Sequence, residues 1–306
     1  MVKCSNKNCF IRTIAKLNKL LEVMSGGNMK KLIILFSMMS VIGYSAGYGK
    51  ENKTIKNDAG SIKVDAKTYN SVAQDRRVRF VILHYTAVNK EQSVNILINQ
   101  QVSAHYLITD DDKDPVYNLV SEDNRSWHAG ESSWGRLTNL NDSSVGIEIV
   151  NMGFTETNGS LSFYPYTEDQ IKKVAVLLKD IIKRYELEPT SILAHSDIAP
   201  QRKQDPGPLF PWEELYKNYQ IGMWYDDDTK ESFMNLNQTQ PFTPFEVQAQ
   251  LEKFGYKVDK TGQYDKQTQN VIRAFQFHFR PSNYDGIMDS ETYAILQALN
   301  LKYKSK

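Results

Sequence analysis

The chain has 306 residues, which suits two domains with additional segments, and its 37 basic and 36 acidic side chains leave a net charge of +1. This balance argues against a dedicated nucleic-acid-binding protein, because such proteins usually carry a strong basic excess. The hydrophobic fraction of 41% is enough for packed cores. The 17 tyrosines and 4 tryptophans are compatible with carbohydrate contact, and equally with ordinary packing.

The N-terminal 70 residues are predicted to precede the folded domains. Residues 29–47 have the form of a secretory signal peptide, with a cationic start, an apolar run of about twelve residues and small residues near a plausible cleavage point. That run is too short for a comfortable membrane span. Residues 1–28 are predicted to be a leader. Two interpretations stay open: translation starts at Met29 or Met24, or the segment is a genuine amphipathic leader. Residues 48–70, rich in Lys, Asn and Gly, are predicted to be a linker.

Both cysteines of the chain, Cys4 and Cys9, lie in this N-terminal part. The folded part therefore has no disulfide and no thiolate ligand, so any metal there must be held by histidine and carboxylate side chains. No cysteine follows the predicted signal peptide, which gives no support for lipid anchoring. We expect an exported protein of the periplasm or cell envelope.

Residues 71–225 are predicted to form an α/β domain. Apolar runs at residues 78–84 and 191–194 are typical of buried strands. Between them lies an amphipathic helix, which begins with a capping box of Thr167 and Gln170. Interleaved strands and helices indicate a mixed sheet covered by helices. The apolar stripe of the predicted helix consists of Ile171, Val174, Leu178, Ile181 and Tyr185.

The C-terminal part is predicted to be a small all-α domain of three helices, residues 244–303, joined by a polar linker at residues 226–243. An internal repeat pairs GQYDKQT (residues 262–268) with GIMDSET (residues 286–292). In each copy a Gly supplies a turn and an Asp is placed to cap a helix. His278 is expected to be a packing or surface residue without a ligand role.

A candidate metal site combines two distant segments. His195 opens a loop, residues 195–208, which also carries Lys203 and Asp205 and is stiffened by three prolines and a glycine. Such a loop can supply two ligands to one zinc ion, and His84, at the end of the first strand, is the candidate third. Each residue alone has an ordinary explanation, as a structural histidine or a turn-forming aspartate. Three protein ligands and one open position are typical of a catalytic zinc site.

Five segments carry a resemblance to a known family. In chain order they are FVILHYT (80–86), VSAHYLI (102–108), NRSWHAG (124–130), SVGIEIVN (144–151) and the loop HSDIAPQRKQDPGP (195–208). Together they resemble the type 2 N-acetylmuramoyl-L-alanine amidases. The C-terminal repeat, with AFQ and FRP at 274–276 and 279–281, resembles the peptidoglycan-binding domain of many wall hydrolases.

The resemblance implies a fold and a set of roles. The fold is α/β, a mixed central β-sheet flanked by helices with a zinc cleft on one face, plus the small C-terminal all-α three-helix domain. Zn²⁺ would be held by His84, His195 and Asp205. Glu148, a carboxylate inside an apolar strand, would act as general base and then acid, although a buried salt bridge is its alternative explanation. Lys203 would face the developing oxyanion as a fixed cation.

Three further residues are expected to line the substrate groove. Arg125, Trp127 and His128 lie in a Trp/Gly-rich loop and are predicted to contact the stem peptide or the sugar. His105, within strand residues, is expected to be a core histidine or to support a ligand from behind.

The predicted function is zinc-dependent hydrolysis of the amide between the lactyl group of N-acetylmuramic acid and L-alanine, in peptidoglycan or its fragments. The C-terminal domain would bind peptidoglycan independently and contribute little to the chemistry. We expect peptidoglycan and muropeptides as ligands, no nucleic-acid or protein partner, and a monomer. Two alternatives are a cytoplasmic amidase that recycles anhydro-muropeptides, disfavoured by the signal peptide, and a non-catalytic peptidoglycan-recognition protein, disfavoured by the complete ligand set.

Overall fold

The computed structural model describes residues 51–305, which belong to two compact units that meet in sequence at Val72 and Ala73. In the first unit, strands β1 (Lys53–Asn57) and β2 (Gly60–Val64) form an antiparallel hairpin with largely exposed side chains. The sequence predicts a linker here, and short polar strands without a buried face are difficult to recognise by periodicity. The predicted leader and signal peptide lie outside the described residues.

The second unit contains the remaining strands and all the helices of the described chain. None of the helices within residues 51–305 is both long and apolar enough to cross a lipid bilayer. The strands are β3 (Phe80–Tyr85), β4 (Tyr106–Ile108), β5 (Tyr117–Asn118), β6 (Ser133–Trp134), β7 (Leu137–Thr138), β8 (Ser144–Ile149), β9 (Phe154–Thr157), β10 (Ser160–Phe163) and β11 (Ile192–Ala194). The helices are α1 (Lys90–Asn99), α2 (Glu168–Tyr185), α3 (His195–Ile198), α4 (Trp212–Tyr219), α5 (Asp227–Thr239), α6 (Pro244–Phe254), α7 (Lys266–Phe279) and α8 (Ser290–Lys304).

The central sheet has five strands in the order β11-β3-β8-β4-β5, and only β5 runs antiparallel to its neighbour. Val81, Ile82 and Leu83 of β3 are fully buried, as expected for a parallel strand covered on both faces. The register of β3 with β8 places His84 beside Glu148. The predicted mixed sheet flanked by helices is confirmed.

The helix that covers this sheet begins where the sequence predicts. Thr167 is the N-cap of α2, and its side chain and that of Gln170 form the reciprocal hydrogen bonds of a capping box. Gln170 also donates from Nε2 to the carbonyl of Val150 at 2.6 Å, which ties the first turn to the sheet. The apolar stripe of α2 packs into the main hydrophobic core.

The three predicted C-terminal helices are α6, α7 and α8, which we call the helical region (residues 244–304). The internal repeat is also a repeat of hydrogen bonds. Gln248 on α6 accepts from Gly262 N–H at 2.9 Å, and Gln276 on α7 accepts from Gly286 N–H at 2.8 Å. Both glutamines are fully buried, so each copy uses a buried amide to hold the turn that precedes the next helix.

Most of residues 226–243, which are predicted to be a linker, form helix α5. The buried contact of α5 with α8 is polar. Asn237 is 7% exposed, and its Nδ2 donates to Gln297 Oε1 at 3.0 Å. A helix that packs through an amide lacks the apolar periodicity by which helices are recognised in sequence.

The helical region shares one hydrophobic core with the α/β region. Trp134 of β6 packs edge-on against Tyr256 with ring centroids 5.0 Å apart. Trp212 of α4 stacks on His278 at 3.8 Å, and Trp224 lies 6.1 Å from Phe279. The expectation of a separable domain on a linker therefore does not match the packing, since the apolar face of the helices is covered by the α/β region.

Candidate active site

Three predicted ligands converge at the carboxyl ends of two neighbouring strands. His84 lies near the end of β3, and His195 follows β11 directly as the first residue of α3. Their Nδ1 atoms are 2.8 Å apart. Oδ2 of Asp205 lies 3.1 Å from the His84 Nδ1 and 2.9 Å from the His195 Nδ1. All three side chains are buried, and each offers one donor atom to a common point.

The chemistry of this donor set fits a zinc ion. Two imidazole nitrogens and a carboxylate oxygen are zinc ligands, and three protein ligands leave a position for water or substrate. Burial and the nearby His195 lower the pKa of His84 to about 4, so its ring is neutral near pH 7 and has a free lone pair. Burial raises the pKa of Asp205, but its interactions with His195 and His84 outweigh that effect and keep it well below its ordinary value.

Hydrogen bonds on the far side of each ring orient the donor atoms. The Nε2–H of His195 donates to the carbonyl of Ala129 at 3.2 Å. Nε2 of His84 lies 2.9 Å from Nδ1 of His128. The assignment consistent with both contacts protonates Nε2 of each ligand and leaves Nδ1 free for the metal.

His128 contacts His84 and also lines the cavity at the site, so its predicted substrate contact stays a prediction. It is 8% exposed, and its Nε2 lies 3.2 Å from Oγ of Ser144, which donates to the carbonyl of Leu140 at 2.5 Å. Gly146 makes room for the ring, because an added Cβ there would lie 2.3 Å from Cγ of His128. A glycine inside an apolar strand was the sequence signal for this close approach.

Glu148 lies beside His84 on the adjacent strand, β8. Its Oε2 atom is buried and has no hydrogen-bond partner within residues 51–305. Burial, followed by the negative charge of Asp205, raises the pKa of Glu148 to about 8, although Lys203 acts in the opposite direction. A carboxyl group with a pKa near neutrality can both accept and release a proton, which a general base and acid must do.

A cavity of about 210 Å³ opens onto these groups. It is lined by the polar side chains of Glu148, Lys203 and Asp205 and by apolar side chains that include Trp127 and Leu97. The cavity therefore presents a cation and a carboxyl group next to the metal ligands, with apolar surface around them. This combination is typical of a small-molecule or catalytic site.

The remaining predicted contact residues lie at the rim. Trp127 is 55% exposed, and the guanidinium of Arg125 stacks over its indole at 4.0 Å. Arg125 also pairs with Asp142 at 2.7 Å, and it does not line the cavity. The indole thus offers an apolar face to a ligand, while the charge of Arg125 is already matched.

His105 is a buried supporting residue, as expected. Its Nδ1 accepts from the backbone N–H of Gly146 at 3.0 Å, and its Nε2–H donates to the carbonyl of Asn124 at 3.2 Å. These bonds connect β8 to the loop that carries Trp127, so His105 fixes the backbone around the site without facing the metal ligands.

Asp197, a buried residue near the site, was not predicted from the sequence to have a role. Asp197 of α3 is fully buried and contacts Tyr256 and His278, both contributed by the helical region. The available sequence signal was a carboxylate two positions after a predicted ligand. Its hydrogen-bond partners are 59 and 81 residues away in sequence, and no local pattern indicates such contacts.

Comparison with known proteins covers both parts of the chain. Residues 74–208 match the family model described as N-acetylmuramoyl-L-alanine amidase, and residues 245–296 match one described as a putative peptidoglycan binding domain. Over 235 residues, which cover 74% of this chain and 84% of the relative, the chain is 42% identical to the N-acetylmuramoyl-L-alanine amidase AmiD of Escherichia coli K12.

Two solved structures resemble the fold over most of its length. One is AmpDH3 from Pseudomonas aeruginosa in complex with anhydromuramic pentapeptide, with a TM-score of 0.74 and 41% identity over 79% of this chain and 99% of that chain. The other is AmiD from E. coli in complex with the substrate anhydro-N-acetylmuramic acid-L-Ala-D-gamma-Glu-L-Lys. Its TM-score is 0.73 and its identity 37%, over 83% of this chain and 99% of that chain.

Proposed function

Because the chain belongs to the N-acetylmuramoyl-L-alanine amidase family and is an enzyme of that class, we propose that it is a zinc-dependent amidase of the cell wall. It hydrolyses the amide between the lactyl group of N-acetylmuramic acid and L-alanine, in peptidoglycan or its fragments. The observation that carries this proposal is the buried convergence of His84, His195 and Asp205 beside Glu148, whose Oε2 atom is buried without a partner within residues 51–305.

The residues of the site have separate roles in amide hydrolysis. A zinc ion held by the three ligands would lower the pKa of a water molecule and draw electron density from the substrate carbonyl. Glu148 removes a proton from the attacking water as the new C–O bond forms. The same carboxyl then delivers that proton to the leaving nitrogen as the C–N bond breaks. The products are the lactyl carboxylate and the free amino group of L-alanine.

Lys203 stabilises the charge that develops on the carbonyl oxygen. Lys203 lines the cavity together with Glu148 and Asp205, which supports this role. A fixed cation in a partly dry cavity interacts more strongly with a developing oxyanion than one in bulk water does. Lys203 thus supports the transition state more than the ground state.

Substrate binding is assigned to the rim of the cavity. The exposed indole of Trp127 supplies a flat apolar surface for the sugar or the stem peptide, and Arg125 holds that indole by stacking on it. AmiD and AmpDH3 were solved with anhydro-muramic peptides, which supports muropeptides as the ligand class for this chain. His128, which also lines the cavity, is proposed to orient His84 and stays a candidate for substrate contact.

The helical region is proposed to bind peptidoglycan and raise the local substrate concentration, on the basis of its family match. The enzyme is proposed to be exported to the periplasm or cell envelope, since residues 29–47 have the form of a signal peptide. We propose that it acts as a monomer without protein or nucleic-acid partners.

Product analysis tests the reaction. Purified enzyme and a soluble muropeptide should yield a free peptide with an L-alanine amino terminus and an intact muramic acid sugar, identified by mass spectrometry. Removing zinc with a chelator should abolish this cleavage, and adding zinc back should restore it. Cleavage at a glycosidic bond or at a peptide bond within the stem would refute the proposal, as would full activity in the absence of metal.

A further inference from the structure

A buried carboxylate lies two residues after His195, in the turn that this proposed metal ligand begins. Asp197 is fully buried, and its Oδ2 atom accepts from the Ala194 backbone N–H at 2.8 Å and from Nδ1 of His278 at 2.7 Å. Its Oδ1 atom accepts from the hydroxyl of Tyr256 at 2.6 Å. A carboxylate removed from water is unfavourable unless donors surround it, so this set of three donors is what permits Asp197 to be buried.

Two of the three donors belong to the helical region and are themselves firmly placed. His278 is the penultimate residue of α7, and its ring lies between Trp212 and Phe279 with centroid distances of 3.8 Å and 3.9 Å. Tyr256 follows α6 by two residues and packs edge-on against Trp134 at 5.0 Å. The helical region therefore offers Asp197 two donors whose positions are fixed by packing.

Asp197 is connected to both ligand-bearing segments. It belongs to α3, the single turn that begins with His195. The next residue, Ser196, donates its backbone N–H to the carbonyl of Asp205 at 2.9 Å. A displacement of this turn would therefore move the His195 imidazole and the Asp205 carboxylate together.

We propose that Tyr256 and His278 are positioning residues for the metal centre, through which the helical region sets the placement of His195 and Asp205 by holding Asp197. This inference rests on the proposed zinc-dependent function. It gives the helical region a part in building the active site, in addition to any contact with the wall. Residues that orient metal ligands from behind affect metal affinity and turnover without touching the substrate.

The two contacts of the His278 ring can be separated by substitution. His278→Phe keeps an aromatic ring to stack on Trp212 but removes the donor. His278→Asn removes the ring but places an amide N–H near the former position of Nδ1. If the hydrogen bond to Asp197 positions the metal centre, the Asn variant must be closer to wild type in zinc binding. If stacking alone matters, the Phe variant must be closer.

The experiment measures zinc affinity of the full chain by competition with a chelator, and kcat and KM on a soluble muropeptide with zinc in excess. His278→Phe should weaken zinc binding by about 10–100-fold and lower kcat, with KM little changed. His278→Asn should recover most of that zinc affinity, even if it melts at a lower temperature.

Tyr256→Phe, which removes one oxygen atom, should weaken zinc binding in the same direction as His278→Phe. The matched control is Tyr303→Phe. It removes another hydroxyl that links the helical region to the α/β region, by donating to the carbonyl of Trp224 at 3.2 Å. That control should bind zinc and turn over as wild type does.

Each outcome has a defined meaning. Wild-type zinc affinity in both His278→Phe and Tyr256→Phe would overturn the inference, as would better zinc binding by the Phe variant than by the Asn variant. Should His278→Phe fail to fold by circular dichroism, the comparison of Tyr256→Phe with Tyr303→Phe decides. A wild-type chain that binds no zinc or does not cleave the muropeptide would refute the proposed function, which is a separate result.

Discussion

At the residue scale, the proposed metal centre depends on three side chains that each supply one donor atom. Removing the His195 imidazole leaves two ligands, too few to hold zinc tightly. Substituting a residue that hydrogen-bonds to a metal ligand typically weakens metal binding by about 10–100-fold. Loss of a ligand itself should have a larger effect, so the purified His195→Ala protein should lack stoichiometric zinc. Metal analysis measures this, and full zinc content together with activity would contradict the ligand assignment.

Glu148 is expected to affect turnover and not metal content. Replacing it with Gln keeps the size of the side chain but removes the group that carries the proton, so kcat should fall by about 10²–10⁴-fold. Zinc content and the melting curve should stay near those of wild type, in contrast to His195→Ala. A near-native rate for Glu148→Gln would mean that the carboxyl has a structural role only.

Part of this site could be predicted from sequence, because ligand-bearing residues follow apolar strands and a carboxylate within a strand is conspicuous. His84, His195, Asp205, Glu148 and Lys203 all lie around one cavity or its ligand cluster. The position of His128 could not be predicted, since it depends on a ring fitting over a glycine of another segment. Gly146 within an apolar strand signals a close approach, but the strand does not reveal which side chain fills the space.

At the element scale, a shared carboxylate fastens helix α2 to the sheet. Glu122, in the loop after β5, accepts from the hydroxyl of Tyr106 on β4 at 2.7 Å and from that of Tyr185 on α2 at 2.7 Å. Arg184 donates to the same carboxylate from Nη2 at 2.9 Å. Burial raises the pKa of Glu122, but these donors outweigh it and lower the pKa to about 2, from an ordinary value of 4.5.

The depressed pKa fixes the sign of a pH effect on stability. An ionised Glu122 stabilises the folded state above about pH 4.5, and this contribution is lost as the pH falls towards about 2. Glu122→Gln should therefore lower the free energy of unfolding by about 1–3 kcal/mol at pH 7. The difference from wild type should shrink steadily below pH 4.5.

Denaturant unfolding at pH 7, 5 and 3 measures this difference. The control is Glu156→Gln, which changes an exposed carboxylate on β9. It should differ little from wild type at any of these pH values. A Glu122→Gln deficit that stays constant from pH 7 to pH 3 would show that the ionised carboxylate is not the source of the stabilisation.

The helices show where element prediction succeeds. Helix α2 combines a capping box with a continuous apolar stripe, and both signals are local in sequence. Helix α5 has neither, because its N-cap makes no side-chain hydrogen bond and its buried contact is the amide of Asn237. Its stability comes from α8, a partner that the local sequence does not reveal.

At the scale of the whole molecule, the shared core predicts that the helical region cannot be removed. A chain ending at Gln240 would expose the aromatic faces of Trp134, Trp212 and Trp224. Each large apolar side chain contributes about 1.5–3 kcal/mol when buried, and their combined loss is comparable to the total stability of about 5–15 kcal/mol of a typical domain.

The truncated chain should therefore be poorly soluble or expose apolar surface to a fluorescent dye, and should lose its cooperative thermal transition. The sequence had favoured the opposite outcome, since the repeat and the polar segment before it indicate an independent module. A truncated chain that folds, binds zinc and cleaves a soluble muropeptide would restore that interpretation. Interfaces between regions are formed by residues that ordinary core packing also explains, so composition alone could not identify this one.

For a helical region that binds the wall as proposed, the shared core also limits where the enzyme can cut while it stays attached. A binding module on a flexible linker allows the catalytic domain to reach many bonds around the point of attachment. Here α6–α8 are instead packed against the α/β region in one hydrophobic core. The distance between the wall strand bound by the helices and the active-site cleft is then fixed. Only a stem peptide at that distance from the bound strand can reach the cleft. Each further cut on the insoluble wall would require release and rebinding. Soluble fragments escape this constraint, so their turnover should depend on the cleft alone.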